Sequence, residues 1–146
     1  MTIGLTVEAQ TTITVDTFVD GVDANAADGV CDGGGGFCTL RAAFQQAAVT
    51  AGAVEIVLPE GTYAWTNGEL FLNAGEIAVL GGGTRTTIVD AGGASRFLDL
   101  GNGLTSFVLN DLELINGFDG NDPGGAIEND CDNLVLNRAS LKNCPS

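Results

Sequence analysis

Five oxygen-bearing side chains crowd one short stretch: Asp20, Asp23, Asn25, Asp28 and Asp32. The run Asp23-x-Asn25-x-x-Asp28-Gly29 offers hard oxygen ligands at short intervals, with a glycine for the turn, which is the chemistry that holds calcium. It lacks the bidentate Glu and the full spacing of an EF-hand. Asp and Asn are also the residues that close turns by bonding their own backbone, so a solvated turn is the competing reading. Asp119, Asn121 and Asp122 form a second acidic turn that a calcium-stabilised binding module would also use. No other motif in the chain calls for a cofactor.

A second set of groups lies on segments that read as strands: Asp90, Asp99, Asp111 and Glu113, with Arg85, Arg96, Arg138 and Lys142 as the available cations. Paired carboxylates, or calcium with a basic residue, can cleave polysaccharides. On alternating strands the same acids are simply the outward face of a sheet. Tyr63 and Trp65 alternate on one strand and are candidates either to stack on a sugar ring or to fill the interior. The chain has no His, which removes the commonest general base and excludes a Ser-His-Asp or Cys-His site built from this chain alone.

The four cysteines form two local pairs, Cys31 with Cys38 and Cys131 with Cys144. Four cysteines allow three connectivities. The local pairing is expected, because each pair would close one short loop. The separations do not match the double C-x-x-C of a four-cysteine zinc site. Disulfides point to an oxidising compartment, so the expected location is extracellular or at the cell surface.

Lys and Arg number 5 against 19 Asp and Glu, a net charge of −14. Such a surface repels nucleic acid and anionic membranes, so neither is expected as a partner. It suits divalent cations or a salty extracellular medium. No stretch is long and apolar enough to span a membrane. Gly33 to Gly36 is not a phosphate loop, since no Lys-Ser or Lys-Thr follows it.

These groups must be positioned by something, and the sequence suggests what. Residues 107–117 align with residues 134–144: Val108, Leu109, Asn110, Leu114 and Asn116 recur as Val135, Leu136, Asn137, Leu141 and Asn143, an offset of about 27 residues. Each copy is a short β-rich run, an Asn, and a second short run. A unit of this kind cannot bury its own apolar face and must stack on a neighbour. One coil of a parallel β-helix has this form, with Leu, Val and Ile inward and Asn stacking in ladders at the corners. Two similar hairpins of a sandwich are the alternative. The rest of the chain from residue 54 is brief apolar runs separated by dense turns, among them Pro59-Glu-Gly61, Asn67-Gly68 and Gly81-Gly-Gly83. Residues 11–19 alternate as a half-buried strand.

Residues 39–50 are the one convincing helix. Thr39 is placed to act as N-cap, and Leu40, Ala43, Phe44, Ala47 and Ala48 make an apolar stripe. Its expected job is to cover the first coil, whose open end would otherwise expose apolar side chains and unpaired strand edges. The organisation predicted is therefore residues 1–10 as a signal-peptide remnant or an assembly strand, 11–53 as an N-terminal cap, and 54–146 as coils.

Asp28-Gly-Val-Cys31, Cys38-Thr-Leu-Arg-Ala-Ala43, Ile56-Val-Leu-Pro-x-Gly-Thr-Tyr63, Gly81-Gly-Gly-x-x-Thr-Thr-Ile-Val-Asp90 and Gly124-Gly-Ala-Ile-Glu128 together resemble the CSLREA domain. That module stands at the N-terminus of bacterial cell-surface and secreted right-handed parallel β-helix proteins. In the six-residue signature Thr39 replaces Ser and Ala42 replaces Glu, which removes any role the acid would have had. The resemblance runs from about residue 12 onward. It implies an all-β, right-handed parallel β-helix of a few coils with one capping helix, and a surface context. It implies no reaction, and proteins that carry this module have more coils than this chain.

Three functions are compatible with these readings. The first is a non-enzymatic structural or adhesive module that associates with itself, end to end or by donating the strand at residues 2–7. The second is a polysaccharide-binding or polysaccharide-degrading β-helix. The third is a calcium-stabilised binding module. Whether Asp and Arg converge in a groove or spread evenly around the coils discriminates the first from the second.

Overall fold

A computed structural model describes residues 10–118, 125–131 and 133–142. Readings that fall on residues 1–9, on Asp119, Asn121, Asp122 and Gly124, or on Asn143 and Cys144 lie outside the described residues.

The chain forms a parallel β-solenoid of about three coils. Every strand pairing is parallel, as expected when each strand returns one coil later. One face stacks β1 (Thr11–Thr14), β2 (Ala53–Val57), β5 (Glu76–Leu80), the first half of β8 (Ser106–Ile115) and the first half of β10 (Leu134–Lys142). The second face stacks β3 (Gly61–Ala64), β6 (Thr87–Asp90) and the second halves of β8 and β10. The third stacks β4 (Leu70–Leu72), β7 (Leu98–Leu100) and β9 (Ile127–Asn129).

The internal repeat is the register of the last two coils. Phe107 pairs with Leu134, Leu109 with Leu136, Asn110 with Asn137 and Leu114 with Leu141. The expected corner ladder is present: the Asn137 amide donates to Asn110 Oδ1 at 3.0 Å, and the Asn110 amide donates to the Val79 carbonyl at 3.1 Å. Asn116 continues the theme at the next corner, donating to Asp90 Oδ1 at 2.9 Å.

The first corner sharpens along the solenoid. In the second coil it is the loop 81–86. In the third coil and in β10 it is a single residue with left-handed backbone, Asp111 at φ 58° and Arg138 at φ 49°. The close approach fixes Gly81, because a Cβ there would stand 2.3 Å from the Asp111 carbonyl oxygen.

Alternation places Val54, Ile56, Ile77, Val79, Phe107 and Leu109 inward, where each is essentially excluded from solvent. Tyr63, Trp65, Phe97 and Leu112 complete the interior. An apolar void of about 20 Å³ lies in the interior beside Phe44 and Trp65. Helix α1 (Leu40–Ala48) is slightly shorter than the sequence suggests, with Thr39 as its N-cap, accepting from the Ala42 N–H. Its stripe Leu40, Ala43, Phe44 and Ala47 is buried, and the Phe44 ring lies 5.6 Å from Phe107 and 6.2 Å from Trp65. The helix packs on β2, β4 and β5 and so fills the N-terminal mouth.

Ahead of α1, the chain makes a partial rung that sequence reading saw only as a strand. Val15 donates to the Val57 carbonyl at the first corner, and Ala64 donates to the Phe18 carbonyl on the second face. Residues 11–19 thus cover the first two faces and leave the third to the cap. Among the described residues no helix is long and apolar enough to cross a membrane.

Candidate functional site

The residues singled out for chemistry sort into three places. The acidic loop is first, and it opens with a correction. Asp20 is not a free ligand. Its carboxylate receives Arg41 through Nε at 2.8 Å and Nη2 at 3.1 Å, and the Thr66 and Asn67 N–H groups at 2.7 and 2.9 Å. Both side chains are almost wholly buried, at 1% and 3% exposure. Burial alone would push the Asp20 carboxyl up; the Arg41 hydrogen bonds and charge and the two backbone donors outweigh it and leave its pKa below the ordinary value. Arg41 also donates to the Gly68 carbonyl at 2.6 Å and lies 4.1 Å over the Trp65 ring. The pair ties the cap loop, the helix and the first coil together.

The remaining loop acids serve their own backbone. Asp23 Oδ1 accepts from Asn25, Asn25 Oδ1 from Ala27, Asp28 Oδ1 from Val30, and Asp32 Oδ1 from Gly34 and Gly36. These are the self-bonded turns that competed with calcium. Asp23 Oδ2 is buried without a hydrogen-bond partner among the described residues. Among those residues no three His, Cys, Asp or Glu side chains converge as a metal site would require. The Cys31–Cys38 disulfide closes the loop just before the Thr39 cap, as the local pairing predicted. Of the second local pair, Cys131 is buried and its thiol donates to the Leu104 carbonyl at 3.5 Å, while Cys144 lies outside the described residues.

The aromatic pair is second, and it is also a correction. Tyr63 and Trp65 are 2% and 1% exposed, so neither face can meet a sugar. The Tyr63 hydroxyl donates to the Pro59 carbonyl at 2.6 Å, and burial pushes its pKa up to about 12. Alternation told which residues share a side, but not which side faces in.

The strand acids are third. They do not converge. Asp111 pairs with Arg138 one coil away, through Nε at 2.5 Å and Nη2 at 3.0 Å; that hydrogen bond, more than the charge, lowers the Asp111 pKa and raises that of Arg138. Arg96 bridges Glu69 and Glu128 across three coils, the latter at 3.1 Å. Lys142 Nζ lies 3.7 Å from Glu113. Asp90 accepts from Asn116 and from the Gly92 N–H. Charge therefore runs in ladders along the axis, at three separate positions around the coils. A shallow hollow of about 250 Å³ opens beside Gln10, Ala53, Glu76 and Ser106, and among the described residues Glu76 is the one titratable group on its wall.

Sequence reading expected contacts between copies end to end; what it missed is the rung at residues 11–19 ahead of the helix. In β8, Leu109 and Leu114 are 2% and 5% exposed; their register partners in β10, Leu136 and Leu141, are 40% and 43% exposed. Among the described residues the same register row is buried on β8 and exposed on β10. At the other end, β1 is mostly exposed and Phe18 and Val19 are 53% and 61% exposed. The repeat itself carried the signal for the β10 rung, since its Leu positions demand a further layer.

Fold and charge pattern together define a short parallel β-solenoid with a disulfide-closed helical cap. No protein-family model, curated protein or solved structure matches the chain.

Proposed function

We propose that this protein is a structural and adhesive β-solenoid module of an extracellular or cell-surface setting, that it has no catalytic role, and that it associates with copies of itself. The observation that carries this reading is the use of charge. Asp111–Arg138, Glu69–Arg96–Glu128 and Glu113–Lys142 each link neighbouring coils rather than meeting in a groove. A carboxylate held by a cation of the next coil stabilises stacking and is poorly placed for proton transfer, which needs reach to a substrate. The Cys31–Cys38 bond supports an oxidising compartment, and the likeness to the CSLREA module supports a surface context of right-handed solenoids. The exposure of Leu136 and Leu141 on β10 supports association, because an exposed apolar row favours a partner.

The test is a concentration series of the oxidised chain by static light scattering. Mass rising with concentration is the expected result. A constant monomer mass up to hundreds of micromolar would remove the self-associating part of the reading.

A further inference from the structure

We infer that Asn67 is a site of spontaneous modification, deamidation through its glycine neighbour, and that the reaction unlatches the helical cap from the first coil. The chemistry is independent of whether copies associate. Three Asn-Gly steps occur in the sequence: Asn67-Gly68, Asn102-Gly103 and Asn116-Gly117. The same reaction is open to each. The backbone nitrogen of the glycine gives up its proton and attacks the asparagine Cγ. The N–Cγ bond forms, the Cγ–Nδ2 bond breaks, and Nδ2 leaves with that proton as ammonia. Water then opens the cyclic imide at one of its two carbonyls, to aspartate or to isoaspartate. In isoaspartate the main chain passes through Cβ and Cγ and is one atom longer.

The surroundings separate the three steps. Attack needs a glycine N–H that can ionise, and a hydrogen bond made by the neutral N–H opposes that. Gly103 N–H donates to Asn73 Oδ1 at 2.7 Å. At the third step Gly117 is buried, and the Gly125 carbonyl oxygen lies 2.2 Å from where its Cβ would stand. There the Asn116 amide, the group that must leave, donates to Asp90 Oδ1 at 2.9 Å. Gly68 differs. Among the described residues neither its N–H nor the Asn67 side-chain amide has a hydrogen-bond partner. Asn67 is exposed, and nothing lies within 4 Å of where a Cβ on Gly68 would stand.

The flanks of that step are the latch. Asn67 N–H donates to Asp20 Oδ2 at 2.9 Å, and the Gly68 carbonyl accepts from Arg41 Nη2 at 2.6 Å. Both anchors belong to the one buried pair, so the chain between them has a set length. The isoaspartyl product lengthens that span by one atom and turns the Gly68 carbonyl off Arg41.

The test is ageing of the oxidised chain in mildly alkaline buffer, folded and in denaturant, read by isoelectric focusing and by tandem mass spectrometry of its peptides. An acidic shift reports asparagine alone, because an aspartate that isomerises keeps its charge. Expected in the folded chain is modification at Asn67 severalfold faster than at Asn102 or Asn116, with the three rates converging in denaturant. Asn67→Ser should abolish the main acidic band, and Asn73→Ala, which frees the Gly103 N–H, should raise the rate at Asn102. An Asn67 that reacts only in denaturant, or equal rates at all three steps of the folded chain, would overturn the assignment. The isoaspartyl species, separated from its aspartyl twin, should melt at a lower temperature. Coincident melts would overturn the unlatching.

Discussion

Two Asp–Arg pairs use the same bidentate chemistry in two regions of this solenoid. Asp20–Arg41 sits under the cap with side chains 1% and 3% exposed; Asp111–Arg138 sits on the last corner with side chains 23% and 72% exposed. The inner pair has lost its water and is satisfied by further donors and by the Gly68 carbonyl. Breaking it leaves an uncompensated buried charge. The outer pair keeps its water, and an exposed ion pair contributes little. The inner pair therefore holds the cap to the first coil, while the outer pair sets how the last rung presents charge. Identical contacts have different jobs because their surroundings differ.

The largest effect should come from Asp20→Asn, which keeps shape and removes charge. It should cost about 3–5 kcal/mol in denaturant unfolding, the range for breaking a buried pair. The pH profile sharpens the point. Because the Asp20 pKa is lowered in the folded state, its contribution is complete above the unfolded value of 3.8 and is lost as pH falls through the folded value. Wild-type stability should fall across that acid window, and Asp20→Asn should lack that component of the fall. Equal stability of the two proteins at neutral pH would break the comparison.

Reducing Cys31–Cys38 comes next. The two residues are 7 apart in sequence, so the closed loop is short and its loss should cost about 2–3 kcal/mol on chain entropy. Thr39→Ala follows, at roughly 1–2 kcal/mol for a lost N-cap; Thr39 is buried and its hydroxyl also donates to the Gly21 carbonyl at 2.6 Å, which favours the upper end. Last, Arg138→Ala should leave the unfolding midpoint of the monomer unchanged within error. A clear drop in that midpoint would mean that the outer pair also stabilises the fold.

Sequence reading reached the periodic parts of the molecule and missed the singular ones. The repeat anticipated the Phe107–Leu134 register and the Asn110–Asn137 ladder because a solenoid writes its spatial neighbours at a fixed offset. The helix was legible from Thr39 and its apolar stripe. Asp20–Arg41 was not, since two residues 21 apart in a cap carry no period, and an acid amid other acids reads first as a cation site. Tyr63 and Trp65 were misplaced for a different reason: alternation fixes a shared side and leaves the choice of side to packing. The partial rung at residues 11–19 escaped because its second half, at Phe18, is one backbone hydrogen bond rather than a strand.

The central claim is that this solenoid is an assembling structural unit. Its most direct test is sedimentation velocity of the oxidised, full 146-residue chain over a concentration series, with electron microscopy of the same samples. The account predicts species that lengthen with concentration at constant width. A single monomeric boundary, independent of concentration, would contradict it.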